Sequence, residues 1–337
     1  MFDSRVTVSL RLAKLIEEIS SLRERIVSAP IQLAWRPALE KEAAIRNAMG
    51  STAIEGYVLS LPEVKALAQG EAPSRNLSKS ERAVLNYLSA LKYIEKKAQQ
   101  AKIEHKDIFQ LHRIIAEGAS EPGPLGVYRA VQNYIVSKQG VVYTPPHPGK
   151  VQKLMADLVS CVNSRSQDHV AAVASGVLHY QFVKIHPFVD GNGRVARALG
   201  TWELLRRRFD TLHIFAIDDL IYEHKDAYYR ALKMSSDEKG ISGWLEFYLE
   251  VIAESLDRAW RRIASIPKRK LSRPMVLTPK QEKLLTLLRD GGPLSSNELA
   301  QALKITVQGV HFLLQPLLRE KIAAREGGRK TGKFKLV

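Results

Sequence analysis

Apolar residues recur along this chain at the spacing of one helical face. Near the N-terminus, Leu10, Leu12, Leu15, Ile16, Ile19, Leu22 and Ile26 form a stripe broken by charged residues. Such a pattern predicts an amphipathic helix. The same spacing predicts helices over 80–98, 107–117, 151–163, 170–185, 194–208 and 243–264. Between two of these lies a run from Val131 to Tyr143, rich in β-branched and aromatic residues around Gly140 and followed by Pro145 and Pro146. It predicts a short hairpin. Residues 1–265 thus read as a mainly helical body with one small β-flap, and no repeat is visible.

The pattern breaks at Ile266–Pro274, a basic stretch with two prolines that reads as a linker over 266–275. Three further helices are predicted over 279–289, 296–303 and 306–320. Ser295 or Ser296 is the expected N-cap of the second, and Thr306 opens the third. The short Lys304-Ile305 connection fits a helix-turn-helix, and the tail around Gly327-Gly328 fits two strands. A winged helix over 276–337 is the expectation.

Composition narrows the classes. No segment approaches the roughly 18 uninterrupted apolar residues of a membrane span, and the N-terminal stripe carries too many charges for a signal peptide. One cysteine, Cys161, excludes a disulfide framework or a thiolate zinc cluster. The chain is expected to be soluble and cytoplasmic, without a membrane partner. Lysine and arginine number 51 against 35 acidic residues, a net charge of +16, which suggests an anionic partner or ligand.

The chemistry concentrates between Ile185 and Arg197, which read Ile-His-Pro-Phe-Val-Asp-Gly-Asn-Gly-Arg-Val-Ala-Arg. Pro187 should push His186 out of the α region and end the preceding helix there. Asp190-Gly-Asn-Gly193 is a tight loop feeding a new helix. Its backbone N–H groups and the helix dipole make a nest for an anion. Arg194 and Arg197, three apart, share a helical face and can clamp neighbouring phosphates. Asp190 is an oxygen ligand suited to Mg²⁺, Asn192 can donate to a phosphate oxygen, and His186 can accept a proton from an attacking hydroxyl. The glycine spacing fits neither a P-loop nor a dinucleotide fingerprint.

His186 to Arg197 resembles the Fic family signature, H-P-F-x-[D/E]-G-N-G-R-x-x-R, at every defined position. Leu111-His112 and Gly126-Val-Tyr-Arg129 resemble the family's helix and pre-flap segment. Val142-Tyr143-Thr-Pro-Pro146 resembles its target-positioning flap. The resemblance covers roughly residues 35–250. It implies a mainly α fold, a Fic-type helical core with a β-hairpin flap, here with a C-terminal winged helix-turn-helix. The implied domains are a helical region over 1–105, a catalytic core over 106–265, the linker, and the winged helix.

The resemblance also implies an activity, AMP transfer from ATP to a Ser, Thr or Tyr hydroxyl of a target protein, with self-modification and a homodimer left open. His186 is then the base, Asp190 the Mg²⁺ ligand, and Gly191, Asn192 and Gly193 the phosphate cradle. Arg194 and Arg197 hold the β and γ phosphates. Gly193 favours AMP transfer, because members that phosphorylate tend to carry Lys there. Adenine and ribose contacts are implied around Tyr222–Tyr229, at His224. Residues 51–56, Ser-Thr-Ala-Ile-Glu-Gly, resemble the family's inhibitory motif [S/T]-x-x-x-E-[G/N]. Glu55 is therefore expected to form a bidentate pair with Arg197 and block productive ATP seating. In relatives the same Glu supports AMP removal, which stays open.

A competing expectation is a DNA-binding regulator whose Fic core senses nucleotide or removes AMP. Gln308, His311 and Gln315 on the last helix would meet base edges, and Arg325, Arg329, Lys330 and Lys333 would meet phosphates. The charge supports this reading: residues 267–337 hold 15 basic and 5 acidic residues, a net +10. The preceding 266 residues contribute only +6.

Overall fold

The computed structural model describes residues 8–29, 36–70, 76–121, 123–137, 140–164, 169–209, 213–235, 240–265, 277–328 and 332–336. The expected linker falls outside them. The described body runs α1 (Leu10–Val27), α2 (Arg36–Ile54), α3 (Leu61–Ala68), α4 (Lys79–Lys97) and α5 (His105–Ala116). The hairpin β1 (Ile135–Ser137) and β2 (Gly140–Tyr143) follows, then α6 (Pro148–Ser164), α7 (Ala171–Ile185) and α8 (Asn192–Arg206). Last come α9 (Ile217–Glu223), α10 (Lys225–Met234) and α11 (Ser242–Ser265).

The N-terminal stripe folds as its spacing requires. Ser9 Oγ accepts the Leu12 N–H at 3.1 Å and caps α1. Leu12, Leu15, Ile19, Leu22 and Ile26 are buried, and α1 packs along α11. Burying five such side chains contributes about 7–15 kcal/mol gross, an upper bound before chain entropy. Leu10 is 75% exposed and off this face.

Two apolar clusters fill the body. One joins α1, α2, α7, α8, α9, α10 and α11; the other joins α2 to α8. The described parts of 1–105 and 106–265 therefore share their cores, and the boundary expected at 105 cuts through packed side chains. α7 and α8 belong to both clusters and are buried on most of their surface. The loop that joins them is thereby carried between two deeply buried helices.

α2, α3, α9 and α10 were not among the helices expected from the sequence. In α2 the buried positions include Ala43, Ala48, Gly50, Ser51, Thr52 and Ala53 on more than one face. Small and polar residues let it sink between neighbours without a hydrophobic period. Gly50 shows how closely: a Cβ there would lie 2.4 Å from the Asp218 carbonyl oxygen and 2.5 Å from Asp219 Cα, both backbone atoms of α9.

The tail holds α12 (Pro279–Gly291), β3 (Leu294–Ser295), α13 (Ser296–Leu303), α14 (Val307–Arg319), β4 (Ala323–Glu326) and β5 (Lys333–Leu336). Ser295, not Ser296, caps α13, and Thr306 caps α14. β5 lies between β3 and β4, antiparallel to both. The short strand β3 was not foreseen. Leu284, Leu288, Leu299, Val310, Leu314, Leu317 and Phe334 form a separate core. Arg289 on α12 pairs with Glu40 of α2 and Glu95 of α4, fixing the tail against the body.

Candidate active site

The chain passes from α7 to α8 through a tightly braced loop. α7 ends at Ile185, as Pro187 required, but His186 is left-handed (φ 50°, ψ 60°) rather than extended. A non-glycine residue there costs about 1–3 kcal/mol and persists only where its surroundings enforce it. They do so through hydrogen bonds. Arg129 Nε donates to the His186 carbonyl at 2.8 Å, and the Arg129 N–H donates to that of Pro187 at 2.8 Å. Arg129 also donates to Val131 and Pro146, at the two ends of the flap segment. This buried arginine couples flap to loop, a role sequence reasoning did not give it.

His112 supports the loop from beneath. Its ring stacks on Phe188 with centroids 3.8 Å apart and planes 8° from parallel. Its Nδ1 accepts the Gly126 N–H at 2.8 Å, so Nε2 carries the proton and donates to the Asp190 carbonyl at 3.1 Å. Burial pushes its pKa down to about 4, keeping the ring neutral.

Asn192 departs from expectation. Its Nδ2 donates to the Phe188 carbonyl and its Oδ1 accepts the Phe188 N–H, both at 2.8 Å. The side chain is buried and closes the loop rather than facing an anion. What remains at this position for an anion is the backbone N–H in the first turn of α8.

His186 is partly buried, and burial pushes its pKa down to about 4. Its Nδ1 lies 3.3 Å from the Val183 carbonyl, which can only accept, so this contact favours the proton on Nδ1. Nε2 is then the lone-pair nitrogen, as a general base requires. For Asp190 burial alone would raise the pKa. The backbone N–H groups of Glu121 (3.0 Å) and Gly191 (2.6 Å), with Arg194 beyond them, outweigh it and hold the carboxyl below its ordinary range.

Both arginines are buried. Arg194 Nη2 donates to Ser120 Oγ at 2.9 Å, and its guanidinium sits 5.0 Å from the Tyr57 ring centroid. Arg197 points toward the end of α2. Its Nε donates to Ser51 Oγ at 2.7 Å, and its Nη2 donates to the Ser51 carbonyl at 2.8 Å and to Glu55 Oε1 at 2.7 Å. The pair with Glu55 is therefore a single bond through Nη2 and not the expected bidentate fork; Ser51 takes Nε and shares Nη2. Burial opposes the charge on Arg197, but Glu55 and Asp218 outweigh it and raise its pKa. Among the described residues, Nε and Nη1 of Arg194 and Nη1 of Arg197 have no hydrogen-bond partner. Three buried donors without acceptors mark a place for an anion.

Glu55 reaches that place first. A Cβ on Gly193 would stand 2.3 Å from Glu55 Oε1 and 3.2 Å from Arg197 Nη1. The carboxylate thus rests on the first turn of α8, over the one residue whose missing side chain admits it.

Glu55, His186 and Gly193 line a cavity of about 1030 Å³, while Asp190, Arg194 and Arg197 lie behind its wall. Val142 and Tyr143 of the flap line it as expected, and Tyr143 Oη donates to the Lys184 carbonyl at 2.8 Å. His224 does not line it: the ring is exposed and bonded to Glu254 at 3.0 Å. It sits at the α9–α10 junction facing α11, so the nucleoside contact expected of it fails on placement. From α10 the lining residues are Lys225, Asp226, Tyr228 and Tyr229 among others. The α10 register decides which residues face inward, and that register was not read from the sequence.

In the tail, Gln308, His311 and Gln315 are exposed along α14 beside Phe312, which is 76% exposed. His311 Nε2 lies 3.3 Å from Ser296 Oγ. Arg325 and Lys333 are exposed on β4 and β5. Arg329 and Lys330 lie outside the described residues.

The chain is similar to several known proteins. Proteins named protein adenylyltransferase Fic from Drosophila grimshawi and Drosophila willistoni are 28% and 29% identical over 246 and 221 residues. These matches cover 72% and 65% of this chain, and 48% and 42% of the relatives. The chain thus spans about half the length of the curated relatives it matches. A Fic family protein from Desulfovibrio desulfuricans G20 has a similar solved structure, with TM-score 0.70, 24% identity and coverage of 100% of this chain and 98% of that one. A Fic domain containing signaling protein from Bacteroides thetaiotaomicron VPI-5482 gives TM-score 0.62, 20% identity and coverage of 74% and 98%. At these identities the structural likeness is one of fold. The model of the Fic/DOC family matches residues 102–204, which include the whole loop from His186 to Arg197 but not Glu55 or α10. Residues 102–204 are a Fic domain.

Proposed function

We propose that this chain transfers AMP from ATP to a Ser, Thr or Tyr hydroxyl of a protein, and that Glu55 holds it inactive. One observation carries the reading. A carboxylate occupies the N-terminal turn of α8, bonded to a buried arginine, where unpartnered donors await an anion. The chemistry follows from the groups around it. The target hydroxyl oxygen attacks the α-phosphorus while its proton passes to His186 Nε2. The bond from the α-phosphorus to the bridging oxygen breaks, and pyrophosphate leaves. Arg194 and Arg197 bind and orient the departing phosphates, and the β1–β2 edge positions the target segment.

Asp190 fits Mg²⁺ through donor chemistry: one ionised carboxylate at the lip of an anion nest, the usual minimum for a cation completed by phosphates and water. When bound, that ion neutralises charge on the phosphates. Among the described residues no cluster of three or more metal-binding side chains exists, so the substrate must supply part of the coordination.

The test uses ATP labelled in the α-phosphate, with Mg²⁺ and a cell extract as target source. Glu55→Gly should label protein strongly, and adding His186→Ala should abolish the labelling. Transfer from γ-labelled instead of α-labelled ATP would make the protein a kinase. No transfer by Glu55→Gly to itself or to any extract protein would refute the reading. Among the described residues no helix is long and apolar enough to cross a membrane.

A second role is supported by the tail. Its order of helices and strands supports the winged-helix reading, and α14 presents Gln308, Phe312, Gln315 and Arg319 outward with no carboxylate among them. Glutamine can read adenine, and an apolar side chain can touch a thymine methyl. Binding of the full chain to duplex DNA should weaken steeply with salt. Binding that is absent, or flat against salt, rules this out.

A further inference from the structure

Asp190 and Arg194 stand four residues apart, a spacing that brings their side chains together at the start of α8. The proposed reaction gives them opposite ligands, a cation for the carboxylate and phosphates for the guanidinium. They nevertheless stop short of a direct bond: Arg194 Nη2 lies 3.5 Å from Asp190 Oδ2. Two adjacent residues after α5 each take one member of the pair. Ser120 Oγ accepts from Arg194 Nη2 at 2.9 Å, and the Glu121 N–H donates to Asp190 Oδ2 at 3.0 Å. The Gly191 N–H holds the other carboxylate oxygen at 2.6 Å. The segment after α5 is itself braced. The Ala119 and Ser120 N–H groups donate to the Ala116 carbonyl, each at 3.1 Å, and Lys79 of α4 pairs with Glu121 at 2.9 Å.

We infer that Ser120 is a positioning residue whose hydroxyl oxygen holds Arg194 off Asp190, so that one charge stays available to Mg²⁺ and the other to the phosphates of ATP. This rests on the reading of the loop as an ATP site and extends it to a residue outside the loop. The physical case lies in the neutrality of the groups that hold the two ions. A hydroxyl and backbone N–H groups satisfy hydrogen-bonding needs without cancelling either charge. Arg194 is 1% exposed, and among the described residues its Nε and Nη1 have no partner. Without Ser120 Oγ, Nη2 loses its acceptor as well, and an unpaired buried donor is costly. Asp190 Oδ2 already stands 3.5 Å away, so a shift of about 0.7 Å closes the pair to a charge-assisted bond. A guanidinium bonded in that way serves neither ligand, because binding must first break the pair.

The experiment measures ATP binding to the full chain by calorimetry over a range of Mg²⁺ concentrations. The background is Glu55→Gly with His186→Ala, where brake and turnover are both absent. Adding Ser120→Ala should weaken ATP binding about tenfold, the value of one hydrogen bond to a charged group. The Mg²⁺ concentration that gives half-maximal ATP binding should rise at least threefold. AMP, which lacks the β and γ phosphates, should change less than twofold, and Ser120→Thr, which keeps the oxygen, should bind ATP within twofold of its parent. A crystal structure of the Ser120→Ala protein without metal or nucleotide should show Arg194 bonded directly to Asp190. ATP binding or Mg²⁺ dependence that does not change, an equal loss for AMP, or Arg194 and Asp190 still apart in that crystal overturns the inference. If Ser120→Ala does not fold, Ser120→Val against Ser120→Thr decides, since the two differ by a methyl in place of the hydroxyl. A loss for Val alone supports the inference, and equal ATP binding overturns it. Should the background protein itself bind no ATP, the reading of the site and this inference fall together. Normal ATP binding that ignores Ser120 removes the inference alone.

Discussion

Replacing Glu55 by Gly should raise the affinity for ATP by roughly 10- to 30-fold. The structure sets this size. Glu55 makes one hydrogen bond of 2.7 Å to Arg197, whose side chain is fully buried. A hydrogen bond to a charged group contributes about 1.5–3 kcal/mol net. The single bond and the partial exposure of the carboxylate place it near 1.5–2 kcal/mol, since solvent screens the pair. A ligand that needs Arg197 must displace this contact, so its affinity falls by the corresponding factor of about 10–30.

Glu55 follows the last residue of α2 and precedes Gly56, so the substitution removes a side chain without breaking a helix. The assay is calorimetric titration with Mg²⁺ and ATP in a His186→Ala background, where turnover is absent. Glu55→Gln, which keeps shape and acceptor but loses charge, should give about half the gain in free energy. AMP serves as the control and should bind equally to all three proteins. If Glu55→Gly and its parent bind ATP within twofold, or if AMP gains as much as ATP, Glu55 does not compete at Arg197.

Other consequences can be checked separately. His186 is neutral above a pKa of about 4, so activity of Glu55→Gly should hold from pH 8 to pH 5, and its base-dependent loss should appear only near pH 4. A pH–rate profile with a limb near 6.5 would contradict this. Because the folded pKa values of His112 and His186 lie below their unfolded value, the unfolded chain binds more protons between about pH 4 and 6.5. Their contribution to stability is complete above 6.5 and is lost as pH falls. Buried His179 acts in the same direction, while Asp218, raised to about 6, and Asp219, also raised by burial, oppose them with two protons against three. The urea midpoint should therefore drop between pH 7 and pH 5. Gly50→Ala drives a Cβ into the α9 backbone and should destabilise the protein by about 1–3 kcal/mol; a change under 0.5 in urea unfolding would show that α2 and α9 can separate. Arg129→Ala should cut target labelling at least tenfold in the Glu55→Gly background while ATP affinity stays within twofold. Equal losses in both would make Arg129 a general stabiliser rather than the tie between flap and loop.

What the sequence disclosed follows from how each element is buried. α1, α4, α5, α6 and α11 lie against the core on one face, and their stripes were legible. α2 is covered on several faces by small residues, so it has no stripe, although it carries Ser51 and Glu55 at its end. The loop from His186 to Arg197 was legible because local chemistry concentrates there. Asn192 was assigned to the ligand because an amide can serve an anion or a backbone equally well, and only the position of Phe188 decides between them. The inward residues of α10 depend on helices distant in sequence. No local spacing records them.

In the proposed reading, the contacts around Ser51 place the brake firmly yet leave it releasable. Gly50, Ser51, Thr52 and Ala53 are buried against their neighbours, and the close approach at Gly50 fixes α2 to α9 through backbone atoms. None of that contact involves Glu55. The turn beyond α2 is held by Glu55 N–H on Thr52 O at 3.1 Å and Gly56 N–H on Ala53 O at 3.1 Å. Gly56 has φ 91° and open space around it. Release of Arg197 thus requires rotation of one partly exposed side chain, or fraying of one turn, and no movement of α2. The energy that places the brake and the energy that engages it reside in different contacts. An anion at the α8 N-terminus competes only with the second, which is small enough for a nucleotide to overcome.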